Sequence, residues 1–284
     1  MDIEHLISGD NQIASLPDLF YRLKETVDEA DSTFGDIGEI IAMDPGLTLR
    51  LLHLVNSAYY GFSSRVETVE HALSIIGSDQ LIELVLATSV VGQFKGIPKD
   101  MIDMKGFWRH SVACGLAART LATLSGEYKV ERFFVAGLLH DVGRLVMCLK
   151  APKEFCMAVE FARKTGDVLY RSECKIFGFD HAAVGGELLK AWRLPESLEE
   201  AVSCHHRPGA AEKYPRETAI VNIANYVAHF YAEKMDNSSG EGAYEMDPES
   251  WNVIELKKKF ILPQVFAKVR DQFEEVAGIF MQSA

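Results

Sequence analysis

The chain has 284 residues, 48% of them hydrophobic, with 29 basic and 41 acidic residues and a formal net charge of −12. That length allows one large domain or two moderate ones with sizeable cores. The acidity argues against broad nucleic-acid or anionic-membrane binding, and leaves room for a local basic pocket that takes a phosphate.

The N-terminal stretch Met1 to Asn11 is acidic and lacks the basic start and long apolar core of a signal peptide. The longest apolar stretch, near Leu81 to Gly92, contains Glu83 and is too short to span a bilayer. The expectation is a cytoplasmic protein with no membrane segment. The five cysteines are odd in number and show no CxxC spacing. They read as reduced, buried thiols, mostly in apolar helical contexts.

Hydrophobic periodicity predicts helices throughout. Leu16 to Ala30 carries Leu16, Leu19, Phe20, Leu23 and Val27 at helical spacing, with Pro17 in the first turn. Asp36 to Met43 is a short helix ended by Asp44-Pro45-Gly46, and Leu47 to Tyr60 follows, ended by Gly61. Thr68 can cap a fourth helix, and Gly77-Ser78-Asp79 separates it from a fifth over Gln80 to Gln93. Gly96-Ile97-Pro98 reads as a boundary. Beyond it the spacing predicts helices over Asp100–Leu124, Val130–Leu149, Lys153–Thr165, Asp180–Trp192, Pro195–His205 and Glu217–Lys234. Met235 to Pro248 shifts to Asn, Ser, Gly and Glu and reads as a mobile loop or linker. Leu262 to Phe280 is a last helix with Val265, Val269, Phe273, Val276 and Phe280 as its apolar stripe. Packing on the body of the protein is the plain reading of that stripe, and a partner-binding helix is the sharper one.

The stretch Phe133 to Met147 reads FFVAGLLHDVGRLVM, an apolar run interrupted by His140, Asp141 and Arg144. Burying three polar groups there is costly unless they are paired or bound to a metal. One reading is a core histidine satisfied by its own hydrogen bonds, with Asp141 and Arg144 as an i,i+3 ion pair. The other is a metal site. Five histidines of the second half (His110, His140, His181, His205 and His206) could converge with Asp141. Each alone is weak: His181 could cap its helix, and His205 or His206 could lie on the surface. Imidazole-rich sets with few carboxylates suit iron, zinc, nickel or manganese better than magnesium or calcium. Such sites hydrolyse phosphoesters.

The contexts of these residues resemble a known family. WRHS around His110, LLHDVGR around His140 and Asp141, DHAAVGGELL around His181 and CHH around His205 resemble the HD superfamily, closest to HD-GYP phosphodiesterases and their HDOD relatives. IIAMDPGLTLRLLHLVNSAYYG (Ile40 to Gly61) and VEHALSIIG (Val69 to Gly77) are similar to the opening of HDOD domains. The resemblance covers roughly residues 10–230. It implies an all-α bacterial signalling fold, an N-terminal helical half (1–96) packed on an HD-like half (97–234), followed by a loop and C-terminal helix (235–284).

The resemblance also implies the ligand set. One metal would be held by His110, His140, Asp141 and the position of Asn225, where HD-GYP-like sites carry an aspartate. A second would be held by Asp141, His181, His205 and His206. Arg144 stands where those enzymes usually have a lysine that contacts substrate phosphate, and its fork can grip a phosphate. Two departures count against catalysis: Asn225 removes a charge, and Arg207-Pro208-Gly209-Ala210 replaces the GYP signature.

The expected function is therefore an HDOD-type regulatory module with one or two divalent transition metals (Fe, Mn, Ni or Zn). It would answer to a signalling protein partner or a small phosphate-containing ligand, without efficient catalysis. The alternative is a metal-dependent phosphohydrolase acting on a nucleotide or cyclic dinucleotide. A third reading is an interaction domain whose histidines bind nothing. Asn56 to Gly61 could bind a partner or simply form a helix end with an aromatic cluster. His53 and His71 read as structural or exposed.

Overall fold

The computed structural model describes residues 2–7, 16–94, 97–236 and 246–281, with residues 232–236 described in backbone only. All regular structure among them is helical, as the all-α expectation requires. The N-terminal half forms α1 (Ile3–Ile7), α2 (Asp18–Asp28), α3 (Phe34–Ala42), α4 (Pro45–Val55), α5 (Val69–Ile76) and α6 (Ser78–Val91). The second half forms α7 (Met104–Leu124), α8 (Glu131–Leu139), α9 (Val142–Lys150), α10 (Pro152–Thr165), α11 (Leu169–Phe177), α12 (His181–Ala191), α13 (Glu196–Ser203) and α14 (Pro215–Asp236). After it come α15 (Glu249–Val253) and α16 (Lys258–Met281). Part of the Gly96-Ile97-Pro98 boundary and most of the Met235–Pro248 linker lie outside the described residues. No single described helix is long and apolar enough to cross a membrane.

Local chemistry sets the helix starts. Thr33 and Asp36 form a reciprocal capping box, with Thr33 N–H donating to Asp36 Oδ2 at 2.8 Å. Asp44 accepts from Leu47 N–H at 2.9 Å and Pro45 occupies the first turn of α4. So Asp44-Pro45-Gly46 starts α4 as well as ending α3. Thr68 caps α5, accepting from His71 N–H at 3.1 Å. Gly77 then takes φ +82°, a conformation open to glycine, and α6 leaves at 120° to α5.

Two predicted helices end or break earlier than their periodicity suggests. The helix expected to reach Tyr60 stops at Val55. Asn56 Nδ2 donates to the carbonyls of Leu52 at 2.8 Å and Val66 at 2.7 Å, and Val66 N–H donates back to Asn56 Oδ1 at 2.8 Å. That side chain pulls the chain into a turn instead of a further helical turn. The helix expected over Val130–Leu149 divides into α8 and α9 at His140-Asp141. α11 was not anticipated, because polar Ser172 and Glu173 share its buried face with Leu169 and Phe177.

One continuous core runs from Leu6 in α1 to Phe280 in α16. α7 lies at its centre, flanked by α8, α14 and α16. The halves meet through α6 on α8, α4 on α16, and α1 on α9 and α12. All five residues of the C-terminal stripe, Val265, Val269, Phe273, Val276 and Phe280, are buried, so this helix packs on the body of the protein.

The Asn56–Gly61 segment forms part of this junction. The Tyr59 hydroxyl donates to Glu131 Oε2 of α8 in a short hydrogen bond. Arg119 of α7 donates to Glu131 Oε1 at 3.2 Å and to the Tyr59 carbonyl at 3.1 Å. Gln272 of α16 donates to the Ala58 carbonyl at 2.7 Å. His53 and His71 are exposed. All five cysteines are free; Cys114 and Cys148 are buried, whereas Cys156 is exposed on α10, contrary to a uniformly buried set.

Candidate metal centre

The break between α8 and α9 builds the site. His140 ends α8, and its Nδ1–H donates to the Gly137 carbonyl of the last turn at 2.7 Å. Asp141 follows at φ −98°, ψ 3° and turns its carboxylate inward. α9 then passes against α12 so closely that a Cβ on Gly143 would lie 2.0 Å from the His181 carbonyl oxygen. Only glycine fits at that crossing, which brings Asp141 beside the first residue of α12, His181. The cap of α12 is Asp180, which accepts from Ala183 N–H at 3.0 Å. His205 and His206 follow the end of α13.

Three imidazoles aim Nε2 at one oxygen. Asp141 Oδ1 lies 3.3 Å from His140 Nε2, 3.0 Å from His181 Nε2 and 3.8 Å from His205 Nε2. The other ring nitrogen of each is fixed by an acceptor. His140 donates to Gly137, His205 donates to the Val202 carbonyl at 2.7 Å, and His181 donates to Glu173 Oε2 at 2.6 Å. An Nδ1–H held in this way leaves the Nε2 lone pair as the metal-facing position. His206 Nε2 lies 2.8 Å from His181 Nε2, and the Tyr170 ring stacks on His206 at 4.2 Å.

The ligating atoms of Asp141, His181, His205 and His206 all lie within 4.8 Å of one another, and so do those of His110, His140 and Asp141. In the second group His110 Nε2 sits 3.3 Å from His140 Nε2 and 3.1 Å from Asn225 Oδ1. The structure therefore brings together all seven residues expected at the site. Arg144 joins them through Nη1, which donates to Asp141 Oδ2 at 3.1 Å. The i,i+3 ion pair expected of the plain reading exists, across the helix break and within the histidine cluster.

Electrostatics follow from burial and neighbours. Burial, reinforced by neighbouring imidazoles, holds His205, His206 and His110 well below the usual histidine range. Burial lowers His140 as well. These rings are neutral, the form that ligates metals. Burial opposes the charge on Asp141, but His140, His181 and Arg144 outweigh it and hold the carboxyl well below its ordinary value. His181 goes the other way: against burial, Glu173 and Asp141 raise it to about 10, so its Nε2 carries a proton that a metal would have to displace.

The residues fit a divalent transition metal. A core histidine satisfied by its own bonds would have no buried nitrogen left over, yet His205 Nε2 is buried and makes no hydrogen bond. Imidazole nitrogens dominate the donor set, with Asp141 able to bridge, and oxygen donors are too few for a calcium cage.

Three residues here were not singled out in the sequence. Glu173 is fully buried beneath His181. Its signal is an ionisable residue on the buried face of a short helix, eight positions before His181. His229, one helical turn after Asn225, places its ring 4.6 Å from that of His110. Tyr170 covers His206.

Comparison with known proteins agrees with this architecture. The HDOD domain family model matches residues 13–208. An uncharacterized protein of Treponema pallidum (strain Nichols) is 26% identical over 242 residues, which cover 84% of this chain and 45% of that protein. The chain thus spans less than half the length of that relative. The crystal structure of an HDOD domain protein of unknown function from Geobacter sulfurreducens superimposes with a TM-score of 0.79 at 24% identity, covering 98% of this chain and 97% of that one. A structure named for a candidate phosphohydrolase of Shewanella amazonensis SB2B gives a TM-score of 0.74 at 24% identity, covering 98% and 96%. At these identities the two structures establish a shared fold. With an all-helical architecture of matching extent, and a family match across most of its length, the chain belongs to the HDOD domain family.

Proposed function

We propose that this protein is a bacterial, cytoplasmic HDOD signalling module that holds a divalent transition metal in its HD-like half and does not turn over phosphoesters efficiently. Asp141, His181, His205 and His206 would hold one ion, and His110, His140, Asp141 and Asn225 a second. When bound, such a cation supplies Lewis acidity and activates water for phosphoester cleavage.

The observation that carries the low-activity reading is Asn225. Its Oδ1 lies 3.1 Å from His110 Nε2, so it takes the position of a ligand but brings no charge. One aspartate must then serve both ions, and two divalent cations in a buried site are poorly compensated by a single carboxylate. The site at His181, His205 and His206 should fill first. Arg144, the candidate phosphate contact, has Nη1 bound to Asp141 Oδ2, so gripping a phosphate competes with that ion pair. The regulatory output would pass to a signalling protein partner or be set by a small phosphate-containing ligand.

The second reading, a phosphohydrolase acting on a nucleotide or cyclic dinucleotide, draws on the intact second ligand group and on the name given to the Shewanella protein. Steady-state hydrolysis of cyclic dinucleotides by metal-loaded protein separates the two. Turnover well under about 1 per second is expected, and turnover at or above that ordinary enzyme range overturns the regulatory reading.

A further inference from the structure

A cavity of about 190 Å³ opens where α2 and α6 of the N-terminal half meet α8 and the Leu194-Pro195 turn of the second half. It lies apart from the histidine cluster, and what it takes does not depend on what that cluster holds. Its body is apolar, with Phe20, Val27, Ile82, Leu86 and Leu194 in the wall. An apolar cavity of roughly 150 Å³ admits one benzene ring, so this space suits a ring-sized group.

The charged residues of the wall are unequal. Lys129 is bound to Asp79 at 2.5 Å, and Lys24 donates to the Arg193 carbonyl at 3.2 Å. Arg132 Nη2 is shared between Glu127 at 3.3 Å and Glu217 at 3.2 Å. Glu131 is held by Tyr59 and Arg119. Asp28 is exposed. Glu83 is different: its Oε2 is shut off from solvent and accepts no hydrogen bond. Burial pushes its carboxyl up to about 7, which the nearby Arg132 only partly offsets. An acceptor left in this state costs free energy that a donor from a ligand would recover.

We infer that this cavity binds a small organic cation with a ring-sized apolar body, whose N–H groups pair with the Glu83 carboxylate. Each basic side chain of the wall already meets at least one protein acceptor. Arg132 Nε is buried without a partner, but its guanidinium serves two carboxylates, whereas Glu83 Oε2 has no donor at all, so a cation is favoured over an anion. The ring would lie among Phe20, Ile82 and Leu86, and the charged end would meet Glu83. Arg132 belongs to α8, the helix that ends at His140, so an occupant would lean on an element that also carries a residue of the metal centre.

Benzamidine, a ring bearing an amidinium, is the direct probe, with benzoate and benzyl alcohol as anionic and neutral comparators. The full chain is melted with each at millimolar concentration. Benzamidine is expected to raise Tm by on the order of 3 °C when present at about ten times its Kd. The comparators should raise it less. Glu83→Gln keeps the shape and removes the charge, and should lose the benzamidine shift while retaining its circular dichroism spectrum. Ile82→Trp, which fills the cavity, should also lose it. No shift in wild type, a larger shift with benzoate than with benzamidine, or a benzamidine shift that survives either substitution overturns the inference.

Discussion

Glu173 Oε2 accepts a hydrogen bond from His181 Nδ1 at 2.6 Å and another from the His181 backbone N–H at 2.9 Å. One buried carboxylate thus fixes both the ring and the backbone of a candidate metal ligand. A carboxylate behind a ligating imidazole sets its tautomer and raises its basicity. Glu173→Gln should therefore weaken metal affinity by about 10- to 100-fold without changing any ligand. Competition against a fluorescent chelator checks this. Unchanged affinity in a folded variant would mean that Glu173 only fills space.

The Gly143 crossing gives a stability prediction. A Cβ there meets the His181 carbonyl oxygen at 2.0 Å and the Gly185 nitrogen at 2.7 Å, both of them backbone atoms that cannot step aside. Gly143→Ala should separate α9 from α12 and cost more than about 3 kcal/mol. It should also impair metal binding, since Asp141 and His181 sit on either side of the contact. Thermal melting with metal titration tests both, and a Tm within a degree or so of wild type would contradict the close approach.

The junction between the halves predicts cooperative unfolding. Glu131 is 1% exposed and ties Tyr59 of the N-terminal half to Arg119 of α7. Removing it by Glu131→Ala leaves the largely buried Arg119 with the Tyr59 carbonyl but no carboxylate to balance its charge, a loss of roughly 3 kcal/mol. Because the core is continuous, melting should remain a single transition with a lower midpoint. Two well-separated transitions would show that the halves are independent.

Glu83 sets a pH dependence. Its folded carboxyl titrates near 7 against 4.5 for an unperturbed glutamate. Burial drives the shift, Arg132 and Lys24 oppose it, and Glu131 and Asp79 reinforce it. Between these values the folded chain holds a proton that the unfolded chain has released, so stability falls as pH rises through the window. The side chain is only half-buried, which discounts the effect to on the order of 1 kcal/mol. Glu83→Gln should be more stable than wild type at about pH 8, and the difference should shrink or vanish near pH 4.5. Denaturant midpoints across that range check it, and a difference that does not depend on pH would contradict it.

Much of the architecture was legible because its signals are local and repeated. The stripe of α16, the cap at Thr68 and the break at Asp44-Pro45-Gly46 follow from periodicity and side-chain chemistry over a few residues. His140-Asp141 stood out because two polar groups in an apolar run need a reason. What escaped was set by contacts distant in sequence. α11 escaped because Glu173 occupies a position where periodicity expects an apolar residue, and its partner is the start of the next helix. The early end of α4 depends on Asn56 reaching Val66, and the division at Asp141 depends on Gly143 meeting α12. His229 became relevant only when α14 was placed beside α7.

The central claim is that the histidine cluster around Asp141 holds a transition metal. Elemental analysis of protein purified without chelator or added metal tests it most directly, with Asp141→Ala in parallel. Iron, manganese, nickel or zinc should be present at a substantial fraction of one ion per chain, more firmly held at His181, His205 and His206 than at His110 and His140. Asp141→Ala should lose it, and Asn225→Asp should raise the stoichiometry toward two. A folded wild-type protein that carries no metal and takes up none of the four ions on titration would contradict the account.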